Sequence, residues 1–395
     1  MWPNQAVSAW FGPSHNEENM DSEKINLVSW MREDALPLWA SRGIDRKFGG
    51  FVEELNQDGS PSPAAFKRVR VQGRQLFSFS SAAILGWHQE AASIADMGFD
   101  YLKKHCRAKD GLWARRLSRE GAVLDPALDL YDTAFIVLGL ITYYRLTRKP
   151  EALDLVRNTV GLVGKNLAAP KGRGYLQSAG DGFLRQNPHM HWFEAMLICH
   201  EAAPEPLFLE EATKVYRLAE AFIIDGKSGA LRELFDQDWK PLQEDGKIRV
   251  EPGHHYEWAW LLSRAGRHMA VNPALIQGIL GFADKFGVNY GTGLVYDQVT
   301  AEGEVTQPTH LLWVQTEALK AWLVRTDVGE AERESRVKLI EANLLRHYFI
   351  RQPMGSWCDR LDANGRVHDG PVPASSLYHI MMCVTELWAW RSARS

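Results

Sequence analysis

The chain has 395 residues, 45% hydrophobic and 24% charged, with a net charge of −4, an ordinary globular balance without the basic stripe that nucleic acid or anionic lipid would need. No run of 18 apolar residues offers a membrane span, and the start, MWPNQAVSAWFGPSHNEENMDSEK, lacks the basic-then-apolar pattern of a signal peptide. The four scattered cysteines, Cys106, Cys199, Cys358 and Cys383, form no CxxC pair and read as reduced thiols of a cytoplasmic protein.

Residues 1–20 read as an N-terminal extension packed loosely over a single domain, 21–395. Within that domain a glycine followed by apolar residues and a polar turn recurs six times. The glycines are Gly50, Gly111, Gly174, Gly229, Gly293 and Gly355, at steps of 61, 63, 55, 64 and 62 residues. Several segments end in a second glycine turn, at Gly59, Gly121, Gly303 and Gly365, so each reads as a short strand-turn-strand. Between them the chain reads as helix. Ala134 to Tyr144 is apolar nearly all round, as a buried helix is. Pro150 to Leu167 starts on proline and carries one apolar face. Trp258 to Leu262 and Glu317 to Leu323 continue two more. Six helical hairpins, each burying its apolar face on its neighbours, close into an all-α (α/α)6 barrel with short β-hairpins at one end. The fifteen tryptophans could fill such a core or stack on sugar rings, and composition does not choose between the two.

Candidate functional residues lie near the starts of the inner helices. Arg74, in VQGRQ, precedes an apolar run, where an inward charge needs a partner or a ligand. Asn187, His191 and Glu194 stand at i, i+4 and i+7 on one helical face. His254 and Glu257 are spaced i, i+3. Ser375 and His379 open a further apolar helix. Trp313 and Glu317 mark a fifth helix, and Tyr131 and Phe135 a sixth. One such histidine is ordinarily a hydrogen-bonded core group. Three at comparable places in a ring point at one central cavity, and imidazole suits a group that must both take and give a proton. The pairs His189/His191 and His254/His255 point in different directions along a helix, so no metal site is expected. GxSxG, GxGxxG and P-loop motifs are missing, which removes the commonest hydrolase, dinucleotide and phosphate-loop readings; no cofactor is expected.

With these segments in this order, the chain resembles the N-acylglucosamine 2-epimerase family from about Asp21 to Trp390. That family includes mannose isomerases, sulfoquinovose isomerases and cellobiose 2-epimerases on an (α/α)6 barrel. The resemblance implies that Arg74 contacts the sugar oxygens and a developing enediolate. It implies that His191 helps open the pyranose ring beside Asn187, and that His254 and His379 are the acid/base pair. It further implies that Glu257 orients His254 and that Glu317 lines the site. Tyr131, Phe135, Trp313, Trp258 and Ser375 are the remaining candidates for substrate binding, with a place in the core as the alternative for the aromatic residues. Many members carry tryptophan four residues before the arginine. Here that residue is Arg70, so the family's substrate platform does not carry over at that point. The expected reaction is aldose–ketose isomerisation of mannose type on a small sugar. The alternatives are C2 epimerisation of N-acylglucosamine or a related aldose, an (α/α)6 glycoside hydrolase, and a non-catalytic sugar-binding ring. Homodimers are common in the family, and no interface is legible in the sequence.

Overall fold

The computed structural model describes residues 26–394; the extension expected at 1–20 lies outside the described residues. Six inner helices run Val69–Ile84, Leu130–Thr147, Gln186–Ala202, Pro252–Ala265, Leu312–Val324 and Leu377–Ser392, the last entered through a 3-10 turn, Ala374–Ser376. Each packs on the next, and the sixth packs back on the first. Between them stand six outer helices. The first is Leu27–Trp30, continued through a π turn, Met31–Ala35, into Leu36–Arg42. Ala91–His105, Pro150–Leu167, Pro206–Leu218, Pro273–Phe286 and Glu330–Leu344 follow, the fourth and sixth ending in the π turns Ala219–Ile223 and Leu345–Phe349. Proline opens several of these helices, where its missing N–H costs no intrahelical bond. The second inner helix, buried on nearly every side, is apolar all round for that reason.

The ring is closed by short antiparallel pairings at one end. The residues leading into each inner helix pair with the hairpin of the next repeat. Phe66–Arg68 pairs with Arg116–Ser118, Asp129 with Ser178, and Leu184–Arg185 with Leu234–Phe235. Arg249–Val250 pairs with Gln298–Thr300 and His310–Leu311 with Arg360–Leu361. Val372–Pro373 then pairs with Glu54–Leu55 of the first repeat, which joins the end of the ring to its beginning. The six repeat glycines all turn with positive φ, between 68° and 87°, where an L side chain is strained. That explains their recurrence. The barrel and its hairpins at one end are as the repeat implied. Among the described residues, no helix is long and apolar enough to cross a membrane.

The first two inner helices meet backbone to backbone. A Cβ on Gly139 would lie 2.5 Å from the carbonyl oxygen of Gly73, and one on Gly73 would lie 2.5 Å from that of Phe135. Gly139→Ala is therefore expected to destabilise the protein by about 1–3 kcal/mol through overpacking, although alanine is the better helix former by about 1 kcal/mol. Urea unfolding measures this, and an unchanged or raised midpoint would contradict the close approach.

Candidate active site

Ring closure sorts the inner helices into layers. The sixth residue of each, counting the sixth helix from Ala374, is Arg74, Phe135, His191, Glu257, Glu317 and His379. The second residues, nearer the hairpin end, are Arg70, Tyr131, Asn187, Gly253, Trp313 and Ser375. Four of the fourth residues, Gln72, His189, His255 and Gln315, turn instead toward the hairpins. Gln72 accepts from Phe51 N–H at 2.8 Å and donates to its carbonyl at 3.0 Å, and Gln315 does both at Val295, at 2.9 Å each. In the third and fourth repeats histidine takes this place. His189 Nε2 accepts from Tyr175 N–H and His255 Nε2 from Leu231 N–H, both at 2.9 Å. Burial lowers both imidazoles to about 4, so they remain neutral acceptors. Two residues along a helix is a rotation of about 200°. His189 therefore clamps the hairpin while His191 faces the axis.

A cavity of about 320 Å³ occupies the axis, and His191, His254, His379, Arg74 and Glu257 all line it. Tyr131, Asn187, Trp313 and Ser375 line it as well. The indole of Trp313 lies between two imidazoles, 5.0 Å from His254 and 5.8 Å from His379 between ring centroids. Arg74 donates to the Ser375 carbonyl at 3.1 Å and to the Tyr131 hydroxyl at 2.8 Å. Its guanidinium lies 3.8 Å above the Phe135 ring. Phe135 is thus the shelf under Arg74. The Nε of Arg74 and the Oδ1 of Asn187 are buried with no protein partner. Such orphans in a cavity wall are groups awaiting a ligand.

Each imidazole of the cavity is held through Nδ1 by a carboxylate. His379 donates to Glu317 Oε1 at 2.9 Å, His191 to Glu194 Oε2 at 3.2 Å, and His254 to Glu233 Oε1 at 2.9 Å. The partner of His254 is therefore Glu233, not Glu257 as the resemblance implied. Glu257 lies a turn deeper, 3.7 Å from His191 Nδ1, with both carboxyl oxygens unpartnered. Burial, together with Glu317 and Glu194, raises it well above the usual carboxylate range, which favours a neutral, proton-donating acid. Trp258 is also displaced from its expected place. It is fully buried, stacks on Phe193 and donates to Gln186 Oε1 at 2.8 Å. Gln186 in turn donates to Glu233 Oε2 at 2.8 Å, so Trp258 braces the partner of His254. Glu317 sits behind His379 and holds Lys320 at 2.6 Å, both fully buried.

The histidines titrate in opposite directions. Burial alone would lower His254, but Glu233 and Glu251 outweigh it and hold it at about 9. Burial lowers His379 well below the usual value, and Arg74 and Lys320 add to that. His191 falls to about 4 by burial, against the pull of Glu194. Near neutral pH the cavity thus carries one imidazolium, His254, and two neutral imidazoles. Three histidine–carboxylate groups bring ligand atoms within 4.8 Å of one another. In each, the Nδ1 hydrogen bond already described accounts for the approach.

Lys320, and the pairing of Glu233 with His254, were not read from the sequence, which offered Glu233 only as a carboxylate that a glycoside hydrolase could recruit. The signal for Glu233 was its place: it stands two residues past Leu231, as Glu53, Asp297 and Asp359 stand two past Phe51, Val295 and Trp357.

The fold and the site define an (α/α)6-barrel enzyme of the sugar isomerase/epimerase type. The sequence profile described as N-acylglucosamine 2-epimerase matches residues 49–383. A mannose-6-phosphate isomerase of Rhizobium meliloti (strain 1021) is 32% identical over 91% of this chain and 95% of its own. The chain belongs to the N-acylglucosamine 2-epimerase family. Among solved structures, a D-mannose isomerase superposes with a TM-score of 0.82 at 22% identity, covering 95% of this chain and all of that one. The cellobiose 2-epimerase from Bacillus thermoamylovorans B4167 superposes at 0.83 and 20%, covering 91% of this chain and 97% of that one. Both share the fold.

The clamp role separates paired histidines that look alike in sequence. His255→Gln is expected to cost less than about 1 kcal/mol, because glutamine makes the same bond in two other repeats. His255→Ala, which leaves a buried N–H unpaired, is expected to cost about 1–3 kcal/mol. Thermal unfolding of the two variants checks the difference. Equal losses would remove the clamp.

Proposed function

We propose that the enzyme isomerises an aldose of mannose type to the ketose through an enediolate. The observation that carries this is the pair of imidazoles on either side of Trp313, one cationic and one neutral near neutral pH, with Arg74 in the same cavity. Neutral His191 accepts the anomeric hydroxyl proton and delivers it to the ring oxygen as the C1–O5 bond breaks and the aldehyde forms, which returns His191 to its neutral state. Neutral His379 then takes the C2 proton. The C–H electron pair moves into the C1–C2 bond, and O1 gains the negative charge. Arg74 and the His254 imidazolium stabilise that charge, the largest single contribution such a site makes. His254 protonates O1, His379 returns its proton to C1, and the O2 proton passes to His254 as C2=O forms. Atoms and charge balance, and no group is consumed. The relative named mannose-6-phosphate isomerase supports isomerisation over epimerisation. C2 epimerisation would use the same residues, with His254 returning a proton to the opposite face of C2. Glycoside hydrolysis fits less well: it needs two free carboxyl groups flanking a bond, whereas Glu233 and Glu317 stand behind imidazoles and, of the three candidate glutamates, only Glu257 faces the cavity unpartnered. The four cysteines, all buried and unpaired, suit a reducing compartment, and we place the enzyme in the cytoplasm.

Mannose incubated in D2O and followed by NMR is expected to give fructose labelled at C1; glucose labelled at C2 would replace isomerisation with epimerisation. His379→Asn is expected to slow exchange by roughly 100-fold or more, the ordinary worth of a general base. Full exchange in that variant would end the mechanism.

The pH profile follows from the same charges. Activity needs His254 protonated, so it should fall above about 9. It should hold through neutrality on the acid side, because neutral His379 is favoured down to well below the usual imidazole value. Glu233 raises His254, so Glu233→Gln should move the alkaline fall to lower pH. A kcat/KM profile whose alkaline limb stays in place would separate Glu233 from His254.

A further inference from the structure

A second cavity of about 300 Å³ opens beside the first at the hairpin end, sharing Tyr131, Asn187 and Glu251 with it. Three arginines line it: Arg70, Arg185 and Arg249. Arg70 is engaged, donating to Asp132 at 2.9 Å. The other two are not. The carboxylate paired with Arg185 is Asp181, at 3.7 Å. Arg249 stands 3.6 Å from Glu244 and 3.5 Å from Glu251, and its Nε is buried without a hydrogen bond. Other arginines are satisfied closely even at the surface: Arg157 reaches Glu205 at 3.1 and 2.6 Å, and Arg325 reaches Asp327 at 3.0 and 2.6 Å. Loose pairing also occurs at Arg115, 3.6 Å from Asp125 and 3.7 Å from Asp129, but at this mouth two loosely held guanidiniums line one cavity. Two guanidiniums with spare donors, beside a third, match the several oxygens of a phosphate; Glu233 and Glu251 also line the cavity and offset part of that positive charge. A neutral second sugar would call for stacking surfaces, and Tyr131 is the one aromatic residue lining this cavity.

The reacting carbons of an aldose lie at one end of the chain, so the mouth receives the other end. We infer that the arginine-lined mouth seats the phosphoryl group of a hexose phosphorylated at its far end. This rests on the isomerase reading for the neighbouring cavity, but it is tested by binding alone. Calorimetry at low salt would compare mannose 6-phosphate with mannose. The phosphorylated sugar is expected to bind at least tenfold more tightly, equivalent to about 1.4 kcal/mol. The gap should shrink with added salt. Arg185→Gln with Arg249→Gln should reduce the gap to twofold or less, and Arg185→Lys with Arg249→Lys should retain more of it. Circular dichroism checks that the variants are folded. Equal affinity of the unaltered protein for the two sugars would overturn the proposal without any variant. So would a double glutamine variant that keeps the tenfold gap, or a neutral disaccharide that binds more tightly than mannose 6-phosphate. Failure of the isomerase reading looks different: the binding gap stands, but no sugar exchanges deuterium.

Discussion

A closed ring of helices has one interior, and side chains aimed at it have nowhere else to go. Once Val372 and Pro373 pair with Leu55 and Glu54, every inner helix is fixed in rotation by its two neighbours. Its sixth residue must then face the axis. Arginine, phenylalanine, histidine, two glutamates and a second histidine meet there from residues 74 to 379. The same constraint sends the fourth residue of four of the helices to the hairpin and the second to the mouth. A rotational error of one residue would turn the polar set into the apolar core, and buried polar groups without partners are costly. Chemistry and fold are therefore specified by the same register.

The axis is dry enough that each charge there has to be answered by another. Lys320, fully buried, is held by Glu317 and lies 4.0 Å over the Trp260 ring. Removing one partner of such a pair commonly costs about 3–5 kcal/mol. Glu194 takes hydrogen bonds from both His191 and Tyr378, and these, with Lys320, hold it at about 2 despite burial. The network reaches the cavity only through imidazole Nδ1 atoms. Each Nε2 is left for a ligand, and the fixed carboxylate decides whether that nitrogen is a donor or an acceptor. Two histidines of identical chemistry are shifted in opposite directions because one faces Glu233 and Glu251, and the other is buried beside Arg74 and Lys320.

The repeat was legible because each turn needs a glycine with positive φ, a local demand that composition cannot disguise. The inner helices were legible from their all-round apolar runs. Arg74, His191, His254 and His379 stood out because each is a polar residue at the head of such a run. The partners were harder to read. The i, i+3 spacing of His254 and Glu257 shows that they share a face of one helix, not that one reaches the other. The carboxylate that meets His254 comes from the hairpin 21 residues earlier, in a stretch that reads as an ordinary polar turn. Trp258 follows Glu257 directly, so one residue of rotation carries it off the axis and into the core. Such cross-repeat contacts require the six units to be aligned on one another.

The ring also divides the labour between layers. The sixth residues, with His254 one turn above, are those to which we assign the proton chemistry, and they are tied into a buried network that resists substitution. At the mouth Arg185 and Arg249, at the entries to two inner helices, are held only by loose ion pairs. Arg185 and Arg249 are only about a third exposed, at 32% and 34%, yet a change there leaves no buried partner stranded. A family on this scaffold can therefore keep its reaction while exchanging its mouth. Arg70 shows the exchange directly: it takes the place at which many members have tryptophan, and its charge is met by Asp132 from the neighbouring inner helix. An aromatic platform suits a neutral ring, whereas a cluster of guanidiniums suits an anion. A change at this position would alter the charge of the mouth without touching the imidazoles around the axis.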